Sequence, residues 1–560
     1  MPNPSRRARK PLPPLKPRRA PNLALRRRLL MSGLSLAFVV LTSGVFYRQV
    51  IQTEFLQREG EARYLRDAVI PARRGMITDR NGEPLAVSTP VETVWAEPRK
   101  LIEHLDKIPA IAQAPGMDAA FLRDRIESNR DKGFLYVKRR VTFEEARAVR
   151  EAIARHKITG LDFESEYRRF YPGAEVFAHV IGFTNIEDRG QEGIELAYDR
   201  VLKAEPGLQR VIRDGRKRTV QQVEQVSPPH PGRDLALTLD RRLQYLAYRE
   251  LKAAVTEHKA KGGSLVVLDA ATGEVLAMVN QPSFNPNSDR SGGSERRRNR
   301  TVTDVMEPGS TLKPFVVAAA LEKQVISPAS RFSTAPYSIG RNVVRDVHNY
   351  GTLDVTGIIT KSSNVGSVKI AQKMSYGDLW SLYDRLGFGH PTGVDFPGES
   401  RGLLRHHSPW RPFEHATHSF GYGLSVTPLQ LAQAYLVLAS DGVKRPVTLF
   451  KRDPLMQAAA APEAVRILSQ DTTRRLRAMM ETVVSEQGTA KQAIIAGYRA
   501  AGKTGTAKKS AGKAGYSSNR YQSVFAGFVP ARQPRFVMVV MIDEPGAGAY
   551  YGGVVAAPIF

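Results

Sequence analysis

The chain has 560 residues, 42% of them apolar, a globular composition too long for a single core, so two or more folded units are expected. It contains no cysteine, which excludes disulfides and thiolate metal sites. Lys and Arg (82) exceed Asp and Glu (55) by 27, an excess that points to an anionic partner: nucleic acid, lipid headgroups or an acidic polymer.

Residues 1–28 hold ten Lys/Arg, seven Pro and no acid. Such a segment cannot bury a core and reads as a disordered basic tail. Residues 29–47 then run 19 positions without a charge, close to the ~20 a helix needs to cross a bilayer. Arg26, Arg27 and Arg28 abut the start of this span, whereas the flank after Tyr47 mixes Arg with Glu54, Glu59, Glu61 and Asp67. By the positive-inside rule the tail stays in the cytoplasm and everything after Tyr47 is exported. A cleaved signal peptide is the alternative, but the span exceeds an ordinary h-region and lacks an A-x-A site. The apolar span and the lack of a DNA-binding motif argue for a lipid bilayer as the anionic partner and for no nucleic acid.

Residues 49–68 read as a helix continuing out of the membrane. Ile70 to Ala86 reads as a strand, an Asn81-Gly82 turn and a returning strand, with a purely structural role. Residues 100–160 read as amphipathic helices, one opened by a Thr142/Glu145 capping box. Residues 167–207 are rich in aromatics, Gly and acids but offer no catalytic grouping, so residues 48–232 form a non-catalytic platform. The breaker cluster from Pro228 to Arg233 marks a boundary, and residues 233–560 form the second folded unit. That unit opens with a strand over 234–240, an Asp240-capped helix from Arg241 to about Lys261 ended by Gly262-Gly263, and a hairpin over 264–280 turning near Thr272-Gly273. Residues 285–300 read as a polar, mobile surface loop. Helices follow at Ser310, at Thr427 to Gly442 and at Ser469 to Ser485, then strands at 498–507, 523–529 and 536–542. Strands, a block of helices and strands again give an α+β fold with an antiparallel sheet covered by helices.

Chemistry concentrates in Glu307-Pro-Gly-Ser-Thr-Leu-Lys313. A serine and a lysine three apart share one helix face, so the amine can reach the hydroxyl and, when neutral, take its proton. The bland alternative is a helix cap with an exposed lysine nearby, and the chain carries the same spacing at Ser510 and Lys513 in a Gly/Ser/Lys-rich loop. Only the Ser310 copy is followed by an apolar run, Phe315 to Leu321, able to anchor a buried helix. Lys361-Ser-Ser-Asn364 adds a hydroxyl and an amide two residues apart. Lys503-Thr-Gly-Thr506 puts a lysine on a strand, with Gly505 allowing close approach to a ligand backbone. A second decoy, Ser517-Ser-Asn519, lies after Lys503 in one flexible loop, where it could not frame a cleft.

The ordered triple Ser310/Lys313, Ser362/Asn364, Lys503/Thr504/Gly505/Thr506 resembles the signature of the penicillin-recognising serine enzymes. Arg74 to Gly82, Gly193-Ile-Glu195 and Phe420 to Pro428, with one N-terminal span, look like the class B penicillin-binding proteins and their division-specific branch. The likeness covers about residues 25–560. It implies a dimerisation-type platform that is elongated and β-rich, a penicillin-binding transpeptidase domain, no cofactor, and a catalytic domain on the periplasmic side of the inner membrane at the septum. It implies that Ser310 attacks between the two terminal D-alanines of a peptidoglycan stem peptide and that Lys313 is the base, with Lys503 as a nearby cation lowering its pKa. Ser362 would relay a proton and Asn364 would bind peptide backbone. The Ser310 and Thr506 N–H groups would form an oxyanion hole, and Lys503, Thr504 and Thr506 would hold the substrate carboxylate. β-Lactams would acylate Ser310, and a membrane glycan polymerase and other division proteins would be partners.

Tyr422, Tyr521, Tyr550 and Tyr551 are candidates for the cleft wall or for core packing. His406, His407, His415 and His418 cluster in sequence but, with no cysteine and no H-E-x-x-H, read as polar loop residues and not as a metal site. A β-lactamase would need a base to activate water, and no segment is assignable to it; a D,D-carboxypeptidase would differ only in using water to resolve the acyl-enzyme. A non-catalytic scaffold or sensor is opposed by the intact Ser310, Lys313 and Lys503. Family members usually continue past the position of Phe560 into a helix on the sheet, so either this form is truncated or that helix is absent, and a less stable last strand is expected.

Overall fold

The computed structural model describes residues 22–56, 65–113, 116–213, 219–288, 293–451, 463–510, 512 and 515–560. Of the tail expected over residues 1–28, residues 1–21 lie outside the described residues, as does Lys513 of the first decoy; the last part is corrected, since Leu23 to Arg28 form the first turns of the apolar helix, which therefore begins before residue 29. The chain divides into two compact units, one made of residues up to 70 with 207–228, the other of 71–206 with 229–560.

In the first unit, Leu23–Phe46 is an α-helix whose Asn22 cap accepts from the Leu25 amide, and it continues as a helical turn over Tyr47–Ile51. The whole apolar helix Leu23–Ile51 has 29 residues; at ~1.5 Å per residue it is roughly 43 Å long, more than the ~30 Å of bilayer hydrocarbon. The expected helix over 49–68 is corrected at its far end: Leu65–Ile70 is a strand, while residues 57–64 lie outside the described residues. This strand pairs antiparallel with Gly207–Arg213, which in turn pairs with Thr219–Ser227. A partner 140 residues away in sequence supplies the hydrogen bonds, so long-range pairing overrides the local helical pattern.

The second unit begins with the Asn81-Gly82 hairpin. Asp79 Oδ1 accepts from the amides of Asn81 and Glu83 at 2.7 and 2.9 Å, which closes the turn between Ile77–Thr78 and Pro84–Ala96. The second strand pairs with Leu161–Phe170 and Leu135–Val141. Leu135–Val141 interrupts the stretch expected to be helical; its Lys-Arg-Arg sequence carries no strand signal, and pairing with the longer strand creates it. The Thr142/Glu145 box is formed, Glu145 N to Thr142 Oγ1 at 3.2 Å and Thr142 N to Glu145 Oε2 at 2.9 Å. Two separated motifs meet here: Arg74 Nε and Arg169 Nε pair with the two carboxylate oxygens of buried Glu195 at 2.7 and 2.6 Å.

Of the strand expected over 234–240, only Leu235–Ala236 forms, parallel to Ile77–Thr78. Asp240 caps helix α1 (Arg241–Glu257) through the Arg242 and Leu243 amides at 2.9 and 3.3 Å. Gly262 and Gly263 do not end that helix but begin a strand; a Cβ on Gly263 would stand 2.9 Å from Ile542 Cδ1. The main sheet comprises β1 (Gly262–Asp269), β2 (Val275–Gln281), β3 (Ala501–Ser510), β4 (Tyr516–Val529) and β5 (Phe536–Asp543), all antiparallel in the order β2-β1-β5-β4-β3. The loop expected over 285–300 is corrected in part: residues 294–303 form two helical turns, with Asn299 and Arg300 buried and Asn280 Nδ2 donating to Asn299 Oδ1 at 2.8 Å.

Helices that frame the sheet and the site include α1, then α2 (Lys313–Glu322), α3 (Val355–Lys361), α4 (Asn364–Ala371), α5 (Pro412–His418), α6 (Pro428–Ala439) and α7 (Gln470–Glu481). Every residue of α6 is buried, as its apolar sequence between Thr427 and Gly442 dictates. Phe315 on α2 meets Tyr435 on α6 edge-on with ring centroids 5.5 Å apart. Residues 552–560 pack on the sheet: Val555, Ala556 and Ala557 are buried and the Phe560 ring lies 4.9 Å from Phe525 of β4.

Candidate active site

Ser310 sits in a tight turn, Gly309–Leu312, that runs directly into α2. Gly309 adopts φ +54°, a left-handed conformation that costs glycine little. The turn is clamped from three sides. The Gly309 amide donates to the Gly421 carbonyl at 3.0 Å, and the Tyr435 hydroxyl donates to the Thr311 carbonyl at 2.8 Å. From β3, Gly505 approaches so closely that a Cβ there would lie 2.8 Å from the Pro308 carbonyl oxygen. The missing side chain of Gly505 therefore admits the protein's own backbone.

Lys313 is the first residue of α2 and has no exposed surface. Its Nζ lies 2.5 Å from the Ser362 carbonyl oxygen, 2.7 Å from Asn364 Oδ1 and 3.2 Å from Ser362 Oγ. Burial lowers its pKa to about 7, with the Asp346 carboxylate acting in the opposite sense. A neutral amine has two N–H groups and one lone pair. The carbonyl and the amide oxygen can only accept, which leaves the lone pair for the Ser362 hydroxyl. Among the described residues no hydrogen bond joins the Ser310 and Lys313 side chains; the hydroxyl next to the amine is that of Ser362.

Ser362 adopts φ +60° as the cap of α3, and Ser363 caps α4 by accepting from the Gly366 amide at 2.9 Å. Asp346 holds this junction: Oδ1 accepts from the Asn364 and Val365 amides at 2.5 and 3.0 Å, and Oδ2 accepts from Ser363 Oγ at 2.5 Å. A carboxylate at a helix start is favoured by the exposed N–H groups there. Nothing in the sequence marks Asp346, a single acid in a polar loop without periodicity.

Lys503 on β3 is also fully buried, and its Nζ lies 3.2 Å from the Thr504 carbonyl oxygen. Burial drives its pKa well below that of an ordinary lysine, and repulsion from Lys313 adds to the drop. The repulsion is mutual, so each amine favours the neutral form of the other. Thr504 Oγ1 pairs with Thr489 Oγ1 at 2.8 Å, and Thr506 Oγ1 accepts from the Gly552 amide at 3.0 Å.

These pieces enclose a cleft of about 630 Å³ lined by Ser310, Ser362, Asn364, Thr504, Thr506 and Tyr422, with Asp346 and Lys508 at its margins. Tyr521, Tyr550 and Tyr551 line it too, the Tyr521 and Tyr550 rings stacked at 4.1 Å. Lys313, Lys503 and Gly505 stand behind this surface. The arrangement offers a hydroxyl in an open cleft, an amine behind it that readily gives up its charge, a second hydroxyl in contact with that amine, and threonines along a strand edge. It suits acyl transfer through a serine ester. The histidines need correction: His415 and His418 are buried on α5, where the His418 ring stacks on Trp410 at 4.0 Å. Among the described residues no cluster of three or more His, Cys, Asp or Glu could hold a metal ion.

The chain matches the penicillin-binding protein transpeptidase domain over residues 263–560 and the penicillin-binding protein dimerisation domain over residues 69–237. It is 42% identical over 546 residues to the probable peptidoglycan D,D-transpeptidase PenA of Neisseria meningitidis, covering 95% of this chain and 90% of that one. It is 42% identical over 543 residues to the peptidoglycan D,D-transpeptidase FtsI of Escherichia coli K12, covering 96% and 90%. Among solved structures, penicillin-binding protein 3 of Mycobacterium tuberculosis complexed with aztreonam superposes with a TM-score of 0.67 at 28% identity, covering 88% of this chain and 95% of that one. The apo transpeptidase domain of penicillin-binding protein 3 from Burkholderia pseudomallei gives a TM-score of 0.53 at 42% identity, covering 58% and 92%.

Proposed function

The chain belongs to the class B penicillin-binding proteins, and from that premise we propose that its peptidoglycan D,D-transpeptidase reaction runs through an acyl-enzyme on Ser310. Ser310 Oγ bonds to the carbonyl carbon of the penultimate D-alanine of a stem peptide. The C–N bond to the terminal D-alanine breaks. Lys313 takes the hydroxyl proton, and Ser362, in contact with the Lys313 amine at 3.2 Å, passes it to the departing amine. An amine from a second stem peptide then displaces the serine oxygen, which forms the cross-link and returns a proton to Ser310. Asn364 lines the cleft beside Ser362 to hold peptide backbone, while Thr504 and Thr506 on β3, with Lys503 behind them, face the carboxylate of the terminal D-alanine. The Ser310 and Thr506 N–H groups serve the tetrahedral oxyanion. In a β-lactam the departing nitrogen stays tethered to the acyl group, so the ester persists.

The observation that carries this reading is the fully buried Lys313 amine, packed behind the cleft and in contact with the Ser362 hydroxyl. The Leu23–Ile51 helix anchors the chain in a membrane. Arg26, Arg27 and Arg28 at its start keep the N-terminus in the cytoplasm and put the catalytic unit in the periplasm. The septum during division, with a membrane glycan polymerase and other division proteins as partners, is the setting that fits the division-specific likeness of the motifs. Labelling with a fluorescent penicillin tests the chemistry. One covalent adduct per chain is expected, abolished in Ser310→Ala; an adduct that survives this substitution rejects Ser310 as the nucleophile.

A further inference from the structure

Glu307 stands three residues before Ser310, at the head of the segment that carries Ser310 and Lys313, and has no part in the reaction as proposed above. Its Oε1 accepts two hydrogen bonds, from the Gly423 amide at 2.8 Å and the Tyr516 hydroxyl at 2.9 Å. Its Oε2 is buried and has no hydrogen-bond partner among the described residues. The three residues come from three segments around the cleft: the Ser310 turn, the loop between α5 and α6, and the start of β4. Between them stands Tyr422, which lines the cleft. Its ring meets Tyr516 edge-on at 5.4 Å and 82°, and its hydroxyl accepts from the Lys508 amide of β3 at 3.3 Å.

Backbone pairing already ties the two ends of the first two segments. Met306 N donates to Val426 O at 2.9 Å, and Gly309 N to Gly421 O at 3.0 Å. Between those ties Gly421 and Gly423 both adopt φ +85°, a flexible pair flanking Tyr422. The Glu307 carboxyl spans this gap, fixing the Gly423 amide on one side of Tyr422 and the Tyr516 ring on the other.

We infer that Glu307 is a positioning residue for the donor peptide: it holds Tyr422 at the separation from β3 that seats the substrate. This rests on the acyl-enzyme reading above. Glu307 touches neither Lys313 nor Ser362, so its loss acts on binding and leaves the bond-making step alone.

Acylation of the full-length chain by a fluorescent penicillin, followed over a range of concentrations, separates the binding constant from the saturating rate. Glu307→Ala leaves two donors without an acceptor, and the second-order acylation constant should fall about tenfold, through weaker binding at an unchanged saturating rate. Glu307→Gln keeps an acceptor oxygen and should stay within about twofold of the parent. Tyr516→Phe, which keeps the ring against Tyr422, should lose less than Glu307→Ala and add nothing to it when combined. An unchanged Glu307→Ala, a loss confined to the saturating rate, or a Glu307→Gln as impaired as the alanine variant would overturn the inference. Should the alanine variant fail to fold, Tyr516→Phe decides, since unaltered binding there has the same consequence. A parent chain that does not label would instead sink the acyl-enzyme reading itself.

Discussion

Lys313 is neutral in part near pH 7 because the fold removes it from water. An unfolded lysine holds its proton to about pH 10.4, whereas folded Lys313 holds it only to about 7. Between these values the unfolded chain binds more protons, so Lys313 makes stability rise with pH across that window and fall as pH drops through it. On the acyl-enzyme reading proposed above, the same titration governs reactivity, since only the neutral amine accepts a proton. Acylation by a penicillin should therefore climb through an apparent pKa near 7, about tenfold slower at pH 6 than at pH 8. Asp346 opposes the drop, so Asp346→Asn should move this limb to lower pH; a limb that stays in place would show that Asp346 only caps α4. That Ser310, Ser362, Asn364, Thr504 and Thr506 gather around one cleft, with Lys313 and Lys503 buried behind it, was legible because their spacings are local and their order fixed. Asp346 and Glu307 were not, because each acts on partners that only the folded chain brings to it.

Among the elements, α5 links the site to two buried imidazoles. Its carbonyl at His418 accepts from the Tyr383 hydroxyl at 3.0 Å, and the next carbonyl, at Ser419, accepts from Ser367 Oγ of α4 at 2.7 Å. His415 is held between Tyr376, at 4.5 Å between centroids, and Trp410, and burial lowers its pKa to about 4 with His418 adding repulsion. The unfolded imidazole titrates near 6.5. Between these pH values the unfolded chain again binds more protons, so stability falls as the pH drops from about 6.5 toward 4. The loss from His415 reaches on the order of 3 kcal/mol at the lower end. His415→Phe keeps a ring in the aromatic stack and should flatten the acid limb of the thermal midpoint; an unchanged limb would place the acid sensitivity elsewhere. Elements closed by their own residues were readable: α1 by Asp240, α6 by Thr427 and the Thr142/Glu145 helix by its reciprocal box. The strands at Leu65–Ile70 and Leu135–Val141 were misread as helix because their hydrogen-bond partners lie far along the chain. His415 and His418 were misread as loop because polar residues carry no sign of the aromatic pocket that buries them.

Across the whole molecule, packing cuts the chain differently from composition. Ile77, Leu85, Phe177, Val180 and Ile194, all from the platform, belong to the same buried cluster as the sheet and α2. A second, separate cluster joins Val94, Leu101, Ile111, Leu122, Ile126, Val137 and Val149. The breaker run at Pro228 to Arg233 marks where the chain re-enters the larger compact unit, at Pro229, and proline spacing cannot reveal that the platform's base shares the catalytic core. Two consequences follow from one cavity-forming change in each cluster. Leu122→Ala and Phe315→Ala each remove a fully buried side chain and should each cost about 2–5 kcal/mol. In the separate cluster that cost stays local: amides over 98–158 should exchange faster while penicillin labelling at Ser310 persists. In the shared core, Phe315 is two residues from Lys313 and packs on Tyr435, which holds the Ser310 turn through Thr311, so labelling should fail with the fold. Hydrogen exchange and labelling on the two variants settle this together. Labelling lost in Leu122→Ala at a temperature where the parent is folded would mean that the two clusters open as one.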